Sequence, residues 1–232
     1  MHRPLDIFLS LIAILILSPL LVPIAVLLKF TGEGEVFFKQ QRVGMHGEFF
    51  NLWKFATMQK NSPNVGSKTI TLNSDPRILP VGRFLRKSKI NELPQLLNIL
   101  TGSMSVVGPR PLTEQTFNYY PNDTREIIKK LKPGLSGIMQ IVIPDEEGLM
   151  TGKNATSEFY ETVLAPYKSE LEKWFMFNNN IRNYFLIILI TLANIIYPNG
   201  GFVWRCFDNL PQPPSELKSQ LNYIDKKLDQ WS

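Results

Sequence analysis

The sequence predicts an α+β fold, mainly helical, with an N-terminal membrane helix, a small β-hairpin and amphipathic helices at an interface. Three patterns carry this expectation. Residues 5 to 28 form one apolar run in which Asp6 is the only charge. Two segments rich in β-branched and aromatic residues, 35–43 and 49–58, flank the glycine-bearing turn GMHGE. Apolar residues at helical spacing recur through much of the remainder, as across 157–180.

The apolar run is LDIFLSLIAILILSPLLVPIAVLL. At ~1.5 Å per residue it reaches roughly 36 Å, enough to span a bilayer core. A cleaved signal peptide fits poorly. The run is too long, its basic lead is only His2 and Arg3, and no small-x-small site follows. Ser18-Pro19 interrupts the middle and Pro23 follows. Each proline lacks an N–H and frees the carbonyl four residues back, for which the Ser18 hydroxyl is a candidate partner. A sharp break there turns the helix back to its own side, placing Arg3 with Lys29, Lys39 and Arg42 on the cytoplasmic face. A kinked spanning helix is the alternative, and the residues leave both open.

The composition limits the rest. The chain has 232 residues, with 25 Lys and Arg against 20 Asp and Glu, a net charge of +5. That modest excess suits anionic lipid or phosphate ligands better than nucleic acid. Cys206 is the only cysteine, so an intrachain disulfide or a thiolate metal site is excluded. Only His2 and His46 are available for imidazole ligation. The chain divides into residues 1–30 as the membrane helix, 31–200 as the main body, and 201–232 as a proline-rich linker with a peripheral helix.

In the predicted hairpin, Arg42 and Lys54 stand on opposite arms and can converge. Residues 59 to 75 read as a mobile loop or lid. RILPVGRFLRKSK then brings Arg77, Arg83, Arg86, Lys87 and Lys89 together, a pattern also found on solvated or membrane-surface faces. In INELPQLLNILTG, Pro94 fits only a first helical turn, which predicts Asn91 as N-cap and Glu92 as the first helical residue. Leu93, Leu96, Leu97 and Leu100 would form the buried stripe, and Gly102 the stop. Glu92 is then either an ornament of the helix start or a functional acid. GPRP at 108–111 confines Arg110 between prolines, a rigid presentation suited to phosphate. Asp145, Glu146 and Glu147 cluster in a loop. Residues 184–197 are too short to span and read as interfacial or core.

These motifs, in order, resemble those of the bacterial sugar transferases known as monotopic phosphoglycosyl transferases. The set comprises Ser18-Pro19, Gln41-Arg42-x-Gly44, Lys54-Phe55-x-Thr57-Met58, Asp75-Pro76-Arg77 and Gly82-Arg83-Phe84-Leu85-Arg86-Lys87. It continues with Glu92-Leu93-Pro94-Gln95-Leu96, Gly108-Pro109-Arg110-Pro111 and Lys132-Pro133-Gly134. The likeness runs from about residue 3 to residue 197.

The resemblance implies a re-entrant N-terminal helix, broken at Ser18 and Pro19, in the bacterial inner membrane, with the catalytic body on the cytoplasmic face. It implies transfer of a sugar 1-phosphate from a UDP-sugar to polyprenyl phosphate, with release of UMP and a requirement for Mg²⁺. No nucleic acid is involved, and homo-oligomer formation is left open. Glu92 becomes the catalytic and metal-binding acid, and Arg110, Arg42, Lys54, Arg86 and Arg77 the phosphate or nucleotide ligands.

The family's covalent mechanism uses an Asp-Glu pair, yet Asn91 occupies the Asp position here. An amide is a very poor nucleophile. Three accounts follow. The lipid phosphate attacks directly while Asn91 orients, Asp145 or Glu146 substitutes, or the chain is a weak or inactive member acting as a scaffold. Ser103 and Tyr184 also replace family acids, and Ile-Val-Ile-Pro at 141–144 stands where an arginine is usual.

Overall fold

The computed structural model describes residues 2–31, 33–59, 77–154, 156–197 and 201–223. The loop expected over 59–75 lies, but for Gln59, outside these residues.

Helix α1 runs Arg3–Phe30 without interruption, through both Pro19 and Pro23. The break expected at Ser18 and Pro19 is therefore not a break in the helical backbone. The reason is local: Pro19 withholds a donor from the Leu15 carbonyl, and the Ser18 hydroxyl donates to that carbonyl at 2.9 Å. One face of α1 follows the body along its whole length. The Arg3 guanidinium donates to the Ile99 and Leu100 carbonyls. The buried Asp6 carboxylate accepts from the Ser105 hydroxyl at 2.9 Å, the Val106 amide at 3.0 Å and the Tyr184 hydroxyl at 2.8 Å. Ala13, Ile14 and Leu17 pack with Leu52, Leu96, Ile99 and Met104. Ile24 and Leu28 close against Phe55 and Leu85. The opposite face, with Phe8, Leu11, Leu15, Ile16 and Val22, is exposed.

Strands β1 (Phe37–Val43) and β2 (Phe49–Phe55) form the expected antiparallel hairpin. Helix α2 (Pro80–Lys87) leads to a single 3₁₀ turn, Ile90–Glu92, entered through Lys89 at φ 58°. Helix α3 begins only at Gln95 and ends at Gly102, whose φ of 93° is the left-handed stop foreseen. Asn91 is thus not an N-cap. Pro94 has no N–H, so the α-helical ladder starts after it. The stripe is also rotated from expectation: Gln95, Leu96, Asn98 and Ile99 are buried, whereas Leu97 is 40% exposed. The Asn98 carboxamide accepts from the Trp53 amide at 2.9 Å and donates to the Asn51 carbonyl at 2.8 Å, which turns that face toward the hairpin.

Strand β3 (Ser105–Val107) pairs in parallel with β4 (Gly134–Ser136). Between them lie α4 (Glu114–Asn118) and α5 (Asn122–Ile128), and after them α6 (Ile138–Val142) and α7 (Glu146–Leu149). A long helical stretch follows: α8 (Ser157–Phe159), a π-helical turn at Tyr160–Leu164, and α9 (Ala165–Phe177). Helix α10 (Ile181–Ile196) combines both sequence readings, since Tyr184, Ile187 and Ile190 enter the core while Phe185, Leu189, Leu192 and Ile196 are exposed.

The expected peripheral status of the C-terminal segment does not hold across 201–223. Helices α11 (Phe202–Cys206) and α12 (Ser215–Lys218) place Val203, Trp204, Phe207, Leu217 and Leu221 in the main core. The Trp204 indole donates to the Leu221 carbonyl at 3.0 Å, and the Tyr167 hydroxyl to Pro211 at 3.2 Å. Large apolar side chains on either side of Pro211, Pro213 and Pro214 outweigh the polar composition that marked this stretch as a linker.

Candidate functional site

The hairpin register sets the first two cations. Arg42 lies opposite Phe50 and Lys54 opposite Phe38, so both project from the same face of the ribbon as Leu52. The 3₁₀ turn brings Glu92 up to them, with Lys54 Nζ 3.1 Å from Glu92 Oε1. Arg110 arrives from the turn after β3. That turn is docked tightly on β4: the Gly108 amide donates to Ser136 at 2.9 Å and the Gly134 amide to Pro109 at 2.8 Å. A Cβ on Gly134 would lie 2.1 Å from the Gly108 nitrogen, so the close approach requires glycine. Arg42, Lys54, Glu92 and Arg110 line one cleft, with Gln95 and Gln140 beside them.

A second layer of charge stands behind Arg110. Its Nε is 3.8 Å from Glu146 Oε2, and its backbone amide donates to Glu172 Oε1 at 3.0 Å. Glu146 Oε1 in turn accepts from Lys168 Nζ at 2.7 Å, and Lys168 also donates to the Tyr160 hydroxyl at 3.0 Å. Arg42 donates to the Pro111 carbonyl at 3.0 Å and to Gln40. Hairpin and turn are therefore bonded to one another beside the cleft.

Burial and charge compete across this array. Desolvation alone would raise the Glu92 carboxyl, but Lys54 and Arg110 hold it at about 2. The same opposition leaves Glu146 at about 2, with Lys168 and Arg110 as its cations. Both remain carboxylates at neutral pH. Burial, aided by the neighbouring Arg110 charge, lowers Arg42 to about 10. Burial also lowers Lys54 despite Glu92. For Arg110, burial would lower the pKa and the two glutamates more than offset it. For Glu172, desolvation outweighs the Arg110 amide and the Lys168 and Arg110 charges, and pushes the carboxyl up to about 7.

The structure thus unites Arg42, Lys54, Glu92 and Arg110, as the sequence anticipated, and adds Glu146 through Arg110. It does not bring Arg77 or Arg86 to the lining of this cleft. Asp145 is exposed and caps α7, accepting from the Gly148 amide at 2.9 Å. Asn91 is buried within the 3₁₀ turn, and its carboxamide oxygen has no hydrogen-bond partner among the described residues. Lys168, Glu172 and Tyr160 were not singled out by the sequence. Lys168 and Glu172 are one helical turn apart on α9, a spacing shared with ordinary solvated helix faces.

The donor set can be weighed against a cation. Among the described residues, no group of three or more His, Cys, Asp or Glu is arranged to hold a metal ion. Among the described residues, Glu92 is the one carboxylate lining the cleft. Magnesium commonly takes one or two carboxylates together with substrate phosphates. Glu92 therefore fits an ion that arrives with a diphosphate, and not an all-protein cage.

Comparison with known proteins identifies a family. The family model described as "Bacterial sugar transferase" matches residues 1–197. The exopolysaccharide production protein ExoY of Sinorhizobium fredii is 31% identical over 214 residues, covering 86% of this chain and 87% of that protein. The undecaprenyl-phosphate galactose phosphotransferase of Salmonella typhimurium is 31% identical over 87% of this chain but 42% of its own length. The UDP-glucose:undecaprenyl-phosphate glucose-1-phosphate transferase of Escherichia coli is 40% identical over 61% of this chain and 31% of its own. The chain therefore spans less than half of the latter two proteins.

Proposed function

The chain belongs to the bacterial sugar transferase family, and we propose that it transfers a sugar 1-phosphate from a UDP-sugar to polyprenyl phosphate, releasing UMP. The product would be the lipid-linked first sugar of a surface polysaccharide or glycoconjugate. One observation carries the reading. Three cations and Glu92 converge in one cleft, on a body to which both ends of a long apolar helix are bound.

The mechanism follows from the charges present. Arg110, between two prolines, and Arg42 are suited to chelate diphosphate oxygens, as guanidinium groups do. Glu92, ionised at neutral pH, is a poor proton donor and a good ligand for a hard cation. Magnesium, held by Glu92 and the diphosphate, would supply positive charge that stabilises the departing UMP. Asn91 offers no carboxylate for a covalent step, so the transfer runs directly. An oxygen of the anionic lipid phosphate attacks the β-phosphorus of the donor, one P–O bond forms, and the P–O bond to UMP breaks. The protein's task is to position the two phosphates and neutralise them.

The location follows from α1. A helix standing across the bilayer separates its ends by ~30 Å of hydrocarbon. Here the Arg3 end and the Leu28 end both contact the body. We therefore place α1 in one leaflet, with the cleft at the phosphate level of the cytoplasmic face of the inner membrane.

A UMP-release screen across UDP-sugars with polyprenyl phosphate tests the proposal. Wild type should release UMP from at least one donor and Glu92→Gln should not. Silence of the wild type with every sugar nucleotide would favour the scaffold reading that Asn91 motivates.

A further inference from the structure

The carboxylate cluster around residue 146 entered the sequence reading as a source of a substitute nucleophile. Its geometry indicates a different use. Both Glu146 oxygens are engaged, Oε1 by Lys168 at 2.7 Å and Oε2 by Arg110 Nε at 3.8 Å. Glu146 does not line the cleft. A nucleophile needs a free oxygen in line with phosphorus, and this residue has neither the freedom nor the position. Lys168 is 1% exposed, so its charge is compensated from within the protein and is not presented to a ligand.

We propose that Glu146 and Lys168 are positioning residues: their ion pair sets a carboxylate behind the inner nitrogen of Arg110, leaving its outer nitrogens directed to the donor diphosphate. The inference rests on the transferase reading above and deepens it.

The local architecture supports the assignment. The Arg110 backbone is already fixed by Pro109, Pro111 and the Glu172 carboxylate. The side chain still has several rotatable bonds, and the Glu146 carboxylate, 3.8 Å from Nε, supplies an opposite charge on that side. The outer guanidinium nitrogens of Arg110 have no hydrogen-bond partner among the described residues. Without Glu146 the arginines would repel one another more strongly and Arg110 would lose its aim. The frame also spans three elements. Glu146 opens α7, Lys168 lies on α9, and Tyr160 supports Lys168 from the π-helical turn.

The test uses the full chain in lipid nanodiscs, with kcat and KM for the UDP-sugar, calorimetric titration with UDP, and thermal unfolding. Glu146→Gln alone strands the Lys168 charge and risks misfolding. The double variant Glu146→Gln, Lys168→Met removes both charges at similar volume. We expect the double variant to unfold within a few degrees of wild type, yet to show a KM and a UDP dissociation constant raised roughly tenfold or more, with kcat changed less. Glu146→Asp with Lys168 intact should recover part of that loss. A double variant with wild-type KM and UDP affinity would overturn the inference, because a merely structural pair is then all that existed. So would a sugar-phosphate adduct mapped to Glu146 in the wild type. The two readings separate cleanly. UDP binding that depends on Glu146 without any UMP release defeats the transferase reading alone, and turnover indifferent to Glu146 defeats this one alone. A wild type that neither binds UDP nor releases UMP overturns both.

Discussion

At the scale of single residues, the cleft depends on one exchange of charge for amide. Asn91 and Glu92 are neighbours in sequence but not in environment: Glu92 reaches the cleft, and Asn91 is buried with an unpartnered oxygen. Direct transfer therefore predicts unequal sensitivities. Glu92→Gln should lower kcat by ~100-fold or more, the usual cost of removing a charge that stabilises a transition state. Asn91→Ala should keep partial activity, and equal losses from the two in a UMP-release assay would refute the direct route. Glu172 gives a second residue-scale prediction. Its folded pKa of about 7 lies above the ordinary carboxylate value of 4.5. The folded state then binds the proton more tightly, so stability falls as pH rises from about 4.5 through about 7. Glu172→Gln removes that dependence. Relative to wild type it should gain on the order of 3 kcal/mol between pH 5 and pH 8 in thermal unfolding, and a pH-independent difference would show that Glu172 is not buried as described. The sequence singled out Arg42 and Lys54 on the arms of the predicted hairpin, Glu92 shortly before Pro94 and Arg110 between two prolines. It did not reveal Lys168 and Glu172, since burial at helical spacing leaves no mark that distinguishes it from a solvated face.

At the scale of elements, legibility tracked how local the determining forces are. The hairpin was readable because β-branched and aromatic residues flank a glycine turn, and the stop at Gly102 because left-handed backbone favours glycine. The start of α3 was misplaced by the weight given to Asn91 as a cap. Its buried face was misread because Asn98 bonds the hairpin backbone, a long-range contact no periodicity contains. The parallel pair β3–β4 was also invisible, at three residues per strand. That pair nevertheless aims Arg110, and it yields a prediction. Gly134→Ala puts a methyl 2.1 Å from the Gly108 nitrogen and 2.3 Å from the Ser136 carbonyl oxygen. Backbone must move, at a cost of about 2 kcal/mol or more. Donor KM should rise with the fall in melting temperature. A variant with lowered melting temperature but unchanged KM would mean that the β3–β4 contact does not orient the turn.

At the scale of the whole molecule, the question is how an apolar helix and a charged cleft share one body. The sequence left spanning and re-entrant insertion open because hydropathy and length do not encode direction. The contacts that bear on the choice are polar and distant in sequence. Arg3 donates to carbonyls at the end of α3, where the helix dipole favours a cation. Asp6 collects three donors from β3 and α10 in a buried site. Asp6→Ala would leave the Ser105 hydroxyl, the Val106 amide and the Tyr184 hydroxyl without this acceptor, a loss of about 3 kcal/mol or more. If those contacts set topology, the start of α1 stays on the same side as the cleft. In a Cys206→Ser background, His2→Cys and Lys87→Cys should both react with a membrane-impermeant thiol reagent from the cytoplasmic side of inverted vesicles. Adding Asp6→Ala should shift a fraction of His2→Cys labelling to the opposite side while Lys87→Cys is unmoved. Labelling of His2→Cys from the opposite side alone, with Asp6 intact, would mean that α1 crosses the bilayer and that its contacts with the body do not survive in lipid.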